Sequence, residues 1–186
     1  MKISILSTSV RQKRNSHRVA QFLHKYLSDN TEHDVNIIDF KELDLPMYEE
    51  RLRLLDSPDA TTKQFAEDIK SSDGIVMVVP EYNGGYPASL KNAIDLLYAE
   101  WQNKPIALAT VSISATAGSQ VMQQLQFILW KIGAWVVPVK FQVGNVESTY
   151  EEDGTPTNKE NSEKFAKDLR DKLEWAMQAK KKMSQD

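Results

Sequence analysis

The chain contains no cysteine. Disulfides, thiolate metal sites and a Cys nucleophile are therefore excluded. No apolar run approaches the ~20 residues that span a bilayer, so no membrane partner is expected. The opening Met1-Lys2-Ile3-Ser4-Ile5-Leu6 is too short for a secretory leader. With the missing cysteines, this fits a cytoplasmic location. No G-x-x-x-x-G-K-S/T, G-x-G-x-x-G or G-x-S-x-G string occurs. A Walker loop, a dinucleotide fingerprint and a serine-hydrolase elbow are thus all absent. His17, His24 and His33 show no metal-ligand spacing, and no metal is expected. Basic charge is not in excess either. The net charge is −3, which argues against a nucleic-acid partner.

What is present points to one domain, 1–186, with a well-buried core. Hydrophobic residues make up 41% of the chain, too many for a disordered protein. The charge is unevenly placed. Residues 1–28 carry +6 from Lys2, Arg11, Lys13, Arg14, Arg18 and Lys25, and the rest carries −9.

Apolar runs alternate with helical patterns. Ile3–Leu6, Val35–Phe40, Gly74–Val79, Ile106–Val111 and Trp135–Phe141 read as strands. Val19, Phe22, Leu23, Tyr26 and Leu27 recur at helical spacing, as do Leu90, Ala93, Ile94, Leu97 and Tyr98. Residues 59–71, a pattern from Val121 to Ile132, and about 158–180 supply three more helices. Met77, Met122 and Trp130 fall at core-like spacings and read as packing, and His24 and His33 as surface. The end, Lys180 to Asp186, reads as frayed. Strands 1, 3 and 4 are almost continuously apolar, as parallel strands covered on both faces must be. The expected fold is α/β: a flavodoxin-like three-layer sandwich around a five-stranded parallel sheet of order 2-1-3-4-5. In such sheets ligands bind where strands end and helices begin.

Three loops lie at that edge. Ser7 to Ser16 holds Arg11, Lys13 and Arg14 at a helix start, with Arg18 one turn on. A helix start already carries partial positive charge, so cations there call for an anion. Ser16 as an N-cap explains one hydroxyl but not the charge, and the loop reads as a phosphate site. Pro80 to Tyr86 contains Gly84 and Gly85, and Pro87 then opens a helix. Alone it reads equally as a tight turn or as a cradle for a flat ligand. Its place beside strand 1 favours the ligand. Ser112 to Ser119 is rich in small hydroxylated residues and, alone, reads as a capping loop. Residues 41–57 form a proline-broken, charged stretch with many leucines. These bury either on the chain's own sheet edge or against a partner subunit.

The string Pro80-Glu81-Tyr82-Asn83-Gly84-Gly85-Tyr86-Pro87-Ala88-Ser89-Leu90-Lys91-Asn92-Ala93-Ile94-Asp95 resembles the P-E-Y-N-x-x-x-P-x-x-L-K-N-A-I-D signature of the NADPH-dependent FMN reductase family. Ser9-Val10-Arg11 resembles that family's G-S-x-R loop, with Thr8 in place of glycine. The resemblance covers nearly the whole chain. It implies that Ser9, Arg11 and Ser16, with Arg14 and Asn15 beside them, hold an FMN phosphate. It implies that Pro80, Glu81, Tyr82, Asn83 and Gly84 line the flavin ring. Ser112 and Gly118 remain from the family's third loop, but Ser114, Ala115 and Ser119 replace its glycines and crowd the ring's pyrimidine end.

The expected activity is ping-pong hydride transfer from NADPH or NADH through FMN to a small acceptor, such as a quinone, an azo or nitro compound, or free flavin. No catalytic side chain is expected beyond those that position the cofactor. Lys13, Arg14 and Arg18 give only a weak lead toward NADPH. The family's habit implies a homodimer or homotetramer. The alternatives are a flavodoxin-type electron carrier or a flavin-binding sensor. The basic phosphate loop and mildly acidic composition favour the enzyme.

Overall fold

The structure is a computed structural model that describes residues 1–184. Its elements are β1 (Lys2–Ser7), α1 (Asn15–Asn30), β2 (Asp34–Asp39), α2 (Phe40–Leu43), α3 (Ala60–Ser71), β3 (Gly74–Pro80) and α4 (Ala88–Leu96). There follow β4 (Pro105–Val111), α5 (Ser119–Lys131), β5 (Trp135–Val136), β6 (Phe141–Val143), α6 (Val146–Thr149) and α7 (Lys159–Met183). All strand pairs are parallel, in the order β2-β1-β3-β4-β5, with β6 also on β4. This is the expected flavodoxin-like sheet.

β3 and β4 are buried along their whole length, which is why each reads as an unbroken apolar run. Successive side chains point to opposite faces. Val76 and Val78 therefore join the core under α1 and α7, while Ile75, Met77 and Val79 join the core under α3, α4 and α5.

The fifth strand departs from the expectation. Trp135–Phe141 is not one strand but two pieces, β5 and β6, separated at Pro138. Pro138 has no N–H to give the ladder. Instead Val139 N donates to Val137 O at 2.8 Å, a three-residue turn around the proline. The register slips by two: Ile106 pairs with Val136, but Ala109 pairs with Phe141.

Three smaller readings are also corrected, and one alternative falls. Trp130 does not pack in the core and is 69% exposed. His24 and His33 are half-buried, one against Val35 O at 3.2 Å and the other against Glu174 at 3.2 Å. Lys180 to Met183 form the last turn of α7 rather than a frayed end; Gln185 and Asp186 lie outside the described residues. Ser16 is not the cap of α1. Arg14 holds that position, with no side-chain cap bond.

The 41–57 segment divides its leucines. Leu43, Leu45 and Leu52 pack on the chain's own core, whereas Met47, Tyr48 and Leu54 face solvent. Asn92 of α4 staples the segment down: its amide donates to Pro46 O at 2.8 Å and accepts from Tyr48 N at 2.6 Å.

Candidate functional site

The C-terminal edge of the sheet carries a groove between β1, β3 and β4. β1 ends at Ser7, and Thr8 anchors the next turn to β3: its hydroxyl donates to Val78 O at 3.0 Å and its carbonyl accepts from Ser89 Oγ at 2.7 Å. The side chain that replaces a glycine of the resembled pattern is thus tied down at the root of the loop. Beyond it, Ser9, Arg11, Lys13, Arg14, Asn15 and Ser16 form one wall of the groove. Pro80, Glu81 and Tyr82 form the floor beside them, and Val111, Ser112, Ile113 and Val146 the opposite wall.

Nine of the twelve residues expected from sequence therefore border a single groove: Ser9, Arg11, Arg14, Asn15, Ser16, Pro80, Glu81, Tyr82 and Ser112. Asn83, Gly84 and Gly118 do not. Asn83 and Gly84 occupy the tip of a tight turn closed by Tyr82 N to Gly85 O at 2.8 Å. Both have positive φ, 52° and 76°, as in a type I′ turn. A Cβ on Gly84 would lie 2.7 Å from Gln120 Oε1. Gly118 is buried at φ 72°, and a Cβ there would strike Thr110 Cβ at 2.8 Å. Packing on β4 thus already accounts for that glycine. In the third loop, Ser114 Oγ lies 3.0 Å from Ser112 Oγ and 2.6 Å from Thr116 Oγ1. Ser114, which replaces a family glycine, is exposed and is held by its two hydroxyl neighbours.

The first two loops are coupled. Ser9 Oγ and Tyr82 Oη are 2.6 Å apart, and the Arg11 guanidinium lies 5.6 Å from the Tyr82 ring centre. The cations are not equally available. Arg18 points away, donating to Tyr150 O at 2.9 Å. Arg14 is paired with Asp39 at the end of β2. Arg11 and Lys13 remain exposed at the groove. Asn15 donates to Glu147 of α6 at 2.8 Å.

Asp39 and His17 are the neighbours that sequence reasoning missed. Asp39 is in register with Ser7 on β1 and lies 3.8 Å from His17 Nδ1. That nitrogen is also 2.9 Å from Ser7 Oγ. Burial, and then the Arg14 charge, push the His17 pKa down, against the opposing pull of Asp39. The one available signal was an acidic residue ending strand 2 beside a loop of cations.

Two buried polar atoms at the groove have no hydrogen-bond partner, Ser16 Oγ and Glu81 Oε2. Such atoms are rare and costly in folded proteins. The first turn of α1 adds free backbone N–H groups and contains no acidic residue. A phosphorylated ligand with hydroxyl and ring N–H donors fits these demands. The phosphate answers the helix start, Ser16 and the cations, and the donors answer the Glu81 carboxylate. FMN has this composition. Among the described residues, no three His, Asp or Glu side chains gather as a metal site, and no helix is long and apolar enough to cross a membrane.

Comparison with known proteins bears on the family and the fold. The sequence profile of the family described as NADPH-dependent FMN reductase matches residues 1–148. The NAD(P)H-dependent FMN reductase LOT6 of Saccharomyces cerevisiae is 34% identical over 162 residues, covering 78% of this chain and 84% of that protein. A quinone reductase of Pseudomonas putida is 34% identical over 125 residues, 62% of this chain and 65% of that one. Among solved structures, FerB, a flavoenzyme NAD(P)H:(acceptor) oxidoreductase from Paracoccus denitrificans, superposes with a TM-score of 0.78 at 22% identity. That match covers 95% of this chain and 97% of FerB, and shows a shared fold.

Proposed function

The chain belongs to the NADPH-dependent FMN reductase family, and from that premise we propose how its groove binds the cofactor and which acceptors it serves. It is an enzyme, an FMN-dependent oxidoreductase that uses NAD(P)H. A flavodoxin-type carrier or a sensor is not favoured.

The observation that carries the site assignment is the pair of unpartnered buried atoms, Ser16 Oγ and Glu81 Oε2, on the groove where α1 starts without a cap. In this reading the free N–H groups of α1, with Ser9, Ser16 and the exposed Arg11, hold the phosphate, and Arg14, paired with Asp39, adds its charge beside them. Tyr82 fixes Ser9 through their hydroxyl contact and so links the phosphate end to the β3 loop. Glu81 accepts a hydrogen bond from a cofactor hydroxyl or ring N–H. Pro80, Val111 and Ile113 exclude water from one side. FMN, when bound, supplies the hydride-accepting and hydride-donating chemistry.

No other side chain needs to move a proton at the reacting atoms. NAD(P)H and the acceptor then use one open face in turn, which gives ping-pong kinetics. The acceptor is a small oxidant of the quinone, azo or nitro class, or free flavin. The protein acts in the cytoplasm as a homodimer or homotetramer; the absent cysteines and the family's habit support this part. Purified protein should show an oxidised-flavin absorbance band and release FMN, not FAD, on heating. Steady-state NAD(P)H oxidation should rise when a small quinone is added and give parallel double-reciprocal lines. Released FAD, or intersecting lines, would reject the proposal.

A further inference from the structure

His17 sits where the first loop, β1 and β2 meet. It is the third residue of α1, one position past the groove-lining Ser16. Its side chain is 23% exposed, and its Nδ1 lies 2.9 Å from Ser7 Oγ and 3.8 Å from Asp39 Oδ2. Asp39 is a shared partner. Its Oδ1 accepts from Arg14 and, at 3.0 Å, from Lys41 N. Oδ2 is the oxygen near the imidazole. Arg14 in turn borders the groove. One guanidinium thus stands between a carboxylate behind it and the candidate phosphate position in front.

Every neighbour of the ring acts on its protonation. Burial opposes the imidazolium most, and then the Arg14 charge. Asp39 of β2 and Glu42 of α2 favour it, and Lys41 of α2 opposes it again. The balance holds the His17 pKa below its usual value. The ring also belongs to the first turn of α1, where the helix dipole disfavours a cation. A phosphate at that helix start removes two of these oppositions at once. Its charge offsets the guanidinium of Arg14 and the positive end of the helix.

We propose that His17 is a positioning residue of the phosphate site, which takes up a proton as FMN binds and then closes on Asp39 from the side opposite Arg14. The inference rests on the FMN reading above and adds a proton to it. That proton comes from solvent and ends on the imidazole; no bond to the cofactor is made or broken. Arg14 keeps Asp39 Oδ1 and lends its remaining N–H groups to the phosphate. The imidazolium takes Oδ2. A carboxylate held from both sides ties the end of β2 to the start of α1, and so fixes the loop that carries Arg11. The sign of the pH dependence follows. Binding raises the His17 pKa, so FMN affinity is highest at acid pH and falls as pH rises, about tenfold for each unit of rise in that pKa. The phosphate monoester works the other way, since it loses its second charge below about pH 6.

The test is fluorescence titration of the flavin-stripped full chain with FMN, from about pH 5.5 to 8.5, for the wild type, His17→Gln and Asp39→Asn. Both variants keep the phosphate of the ligand, so dividing wild-type affinity by variant affinity removes its own ionisation. The ratio to His17→Gln should rise toward acid pH by at least about threefold, which is half a unit of pKa. The ratio to Asp39→Asn should rise likewise, because Asn keeps the bond to Lys41 N but offers the imidazolium no charge. Riboflavin, which has no phosphate, should show no such rise. A second arm needs no variant. Proton NMR of the assigned histidine rings should show the His17 midpoint move up when FMN is added, and those of His24 and His33 stay in place. A ratio that is flat or falls toward acid, an equal rise with riboflavin, or an unmoved His17 midpoint would overturn the proposal and leave the FMN reading standing. No FMN binding at any pH would overturn both.

Discussion

At the N-terminal edge of the sheet, Lys104 is 3% exposed, and its Nζ donates to Lys70 O at 3.1 Å and to Ser72 O. Beside it Asp73 accepts from Lys2 N at 2.7 Å, and Ser4 Oγ meets Ser72 Oγ at 2.7 Å and Asn36 at 2.9 Å. At the C-terminal edge Ser16 Oγ and Glu81 Oε2 are equally hidden but have no partner. Both edges bury polar groups; the first completes these internally, and the second pairs Thr8 and Ser9 but leaves those two atoms unmade. A buried group left unmade costs about 1–3 kcal/mol. A fold tolerates that cost where a ligand later removes it. At the C-terminal edge the unmade atoms both face the groove, so the contrast points to binding rather than stability for Ser16 and Glu81.

The largest effect should come from the satisfied edge. Lys104→Met leaves two buried carbonyls without a donor and should cost about 2–4 kcal/mol of stability, read by urea unfolding. FMN affinity of the folded fraction should not change. If affinity falls as far as stability, the two edges are not independent.

The same lysine gives a pH signature. Burial, and then the charge of Lys180, lower the Lys104 pKa to about 8, despite the opposing pull of Asp73. Between about 8 and the usual 10.5 the unfolded chain keeps a proton that the folded chain has lost. Stability must then rise with pH across that window and stay flat below it. The wild type minus Lys104→Met difference should show this rise. A flat difference would mean that the two carbonyls hold the ammonium charged.

At the open edge, Arg11→Ala should weaken FMN binding by about 1.5–3 kcal/mol, the scale of a hydrogen bond to a charged group. Arg11→Lys should recover only part, since a point charge lacks the planar fork. Apo stability should hardly move. Fluorescence titration measures the first effect and thermal melting the second.

The smallest effect is the sharpest. Ser16→Ala removes a buried hydroxyl that has no partner. The apo protein should be unchanged or slightly more stable, while FMN binding weakens by about 0.5–1.5 kcal/mol. A loss of apo stability would mean that Ser16 is an ordinary structural serine.

Sequence alone carried the sheet well. β3 and β4 are covered on both faces, so their burial is written as unbroken apolar runs. The chain order of strands and helices then left few topologies. The fifth strand was legible only in part. Its valines on both sides of Pro138 hide a two-residue slip that only the pairing with β4 exposes. Trp130 falls at a core-like spacing, yet the stripe that packs is Val121, Met122, Leu125 and Leu129.

In the first loop the cations were visible but their partners were not. Asp39 is 25 positions from Arg14, and Tyr150 is 132 from Arg18. Charge counting alone thus overstates how many of the loop's cations are free for a ligand. Asp39 and His17 escaped for the same reason, because their meaning comes from the β1–β2 register.

The broken outer strand also bears on how the molecule behaves in a crowded solution. A straight edge strand offers a row of unpaired backbone groups on which a second chain can build, the first step toward fibrous aggregation. Here that row is interrupted at Pro138, which has no amide hydrogen, and the chain turns between Val137 and Val139. The pieces left on either side, two and three residues long, are too short to template a neighbour. The irregularity that spoils the simplest reading of the sequence is thus a guard on solubility.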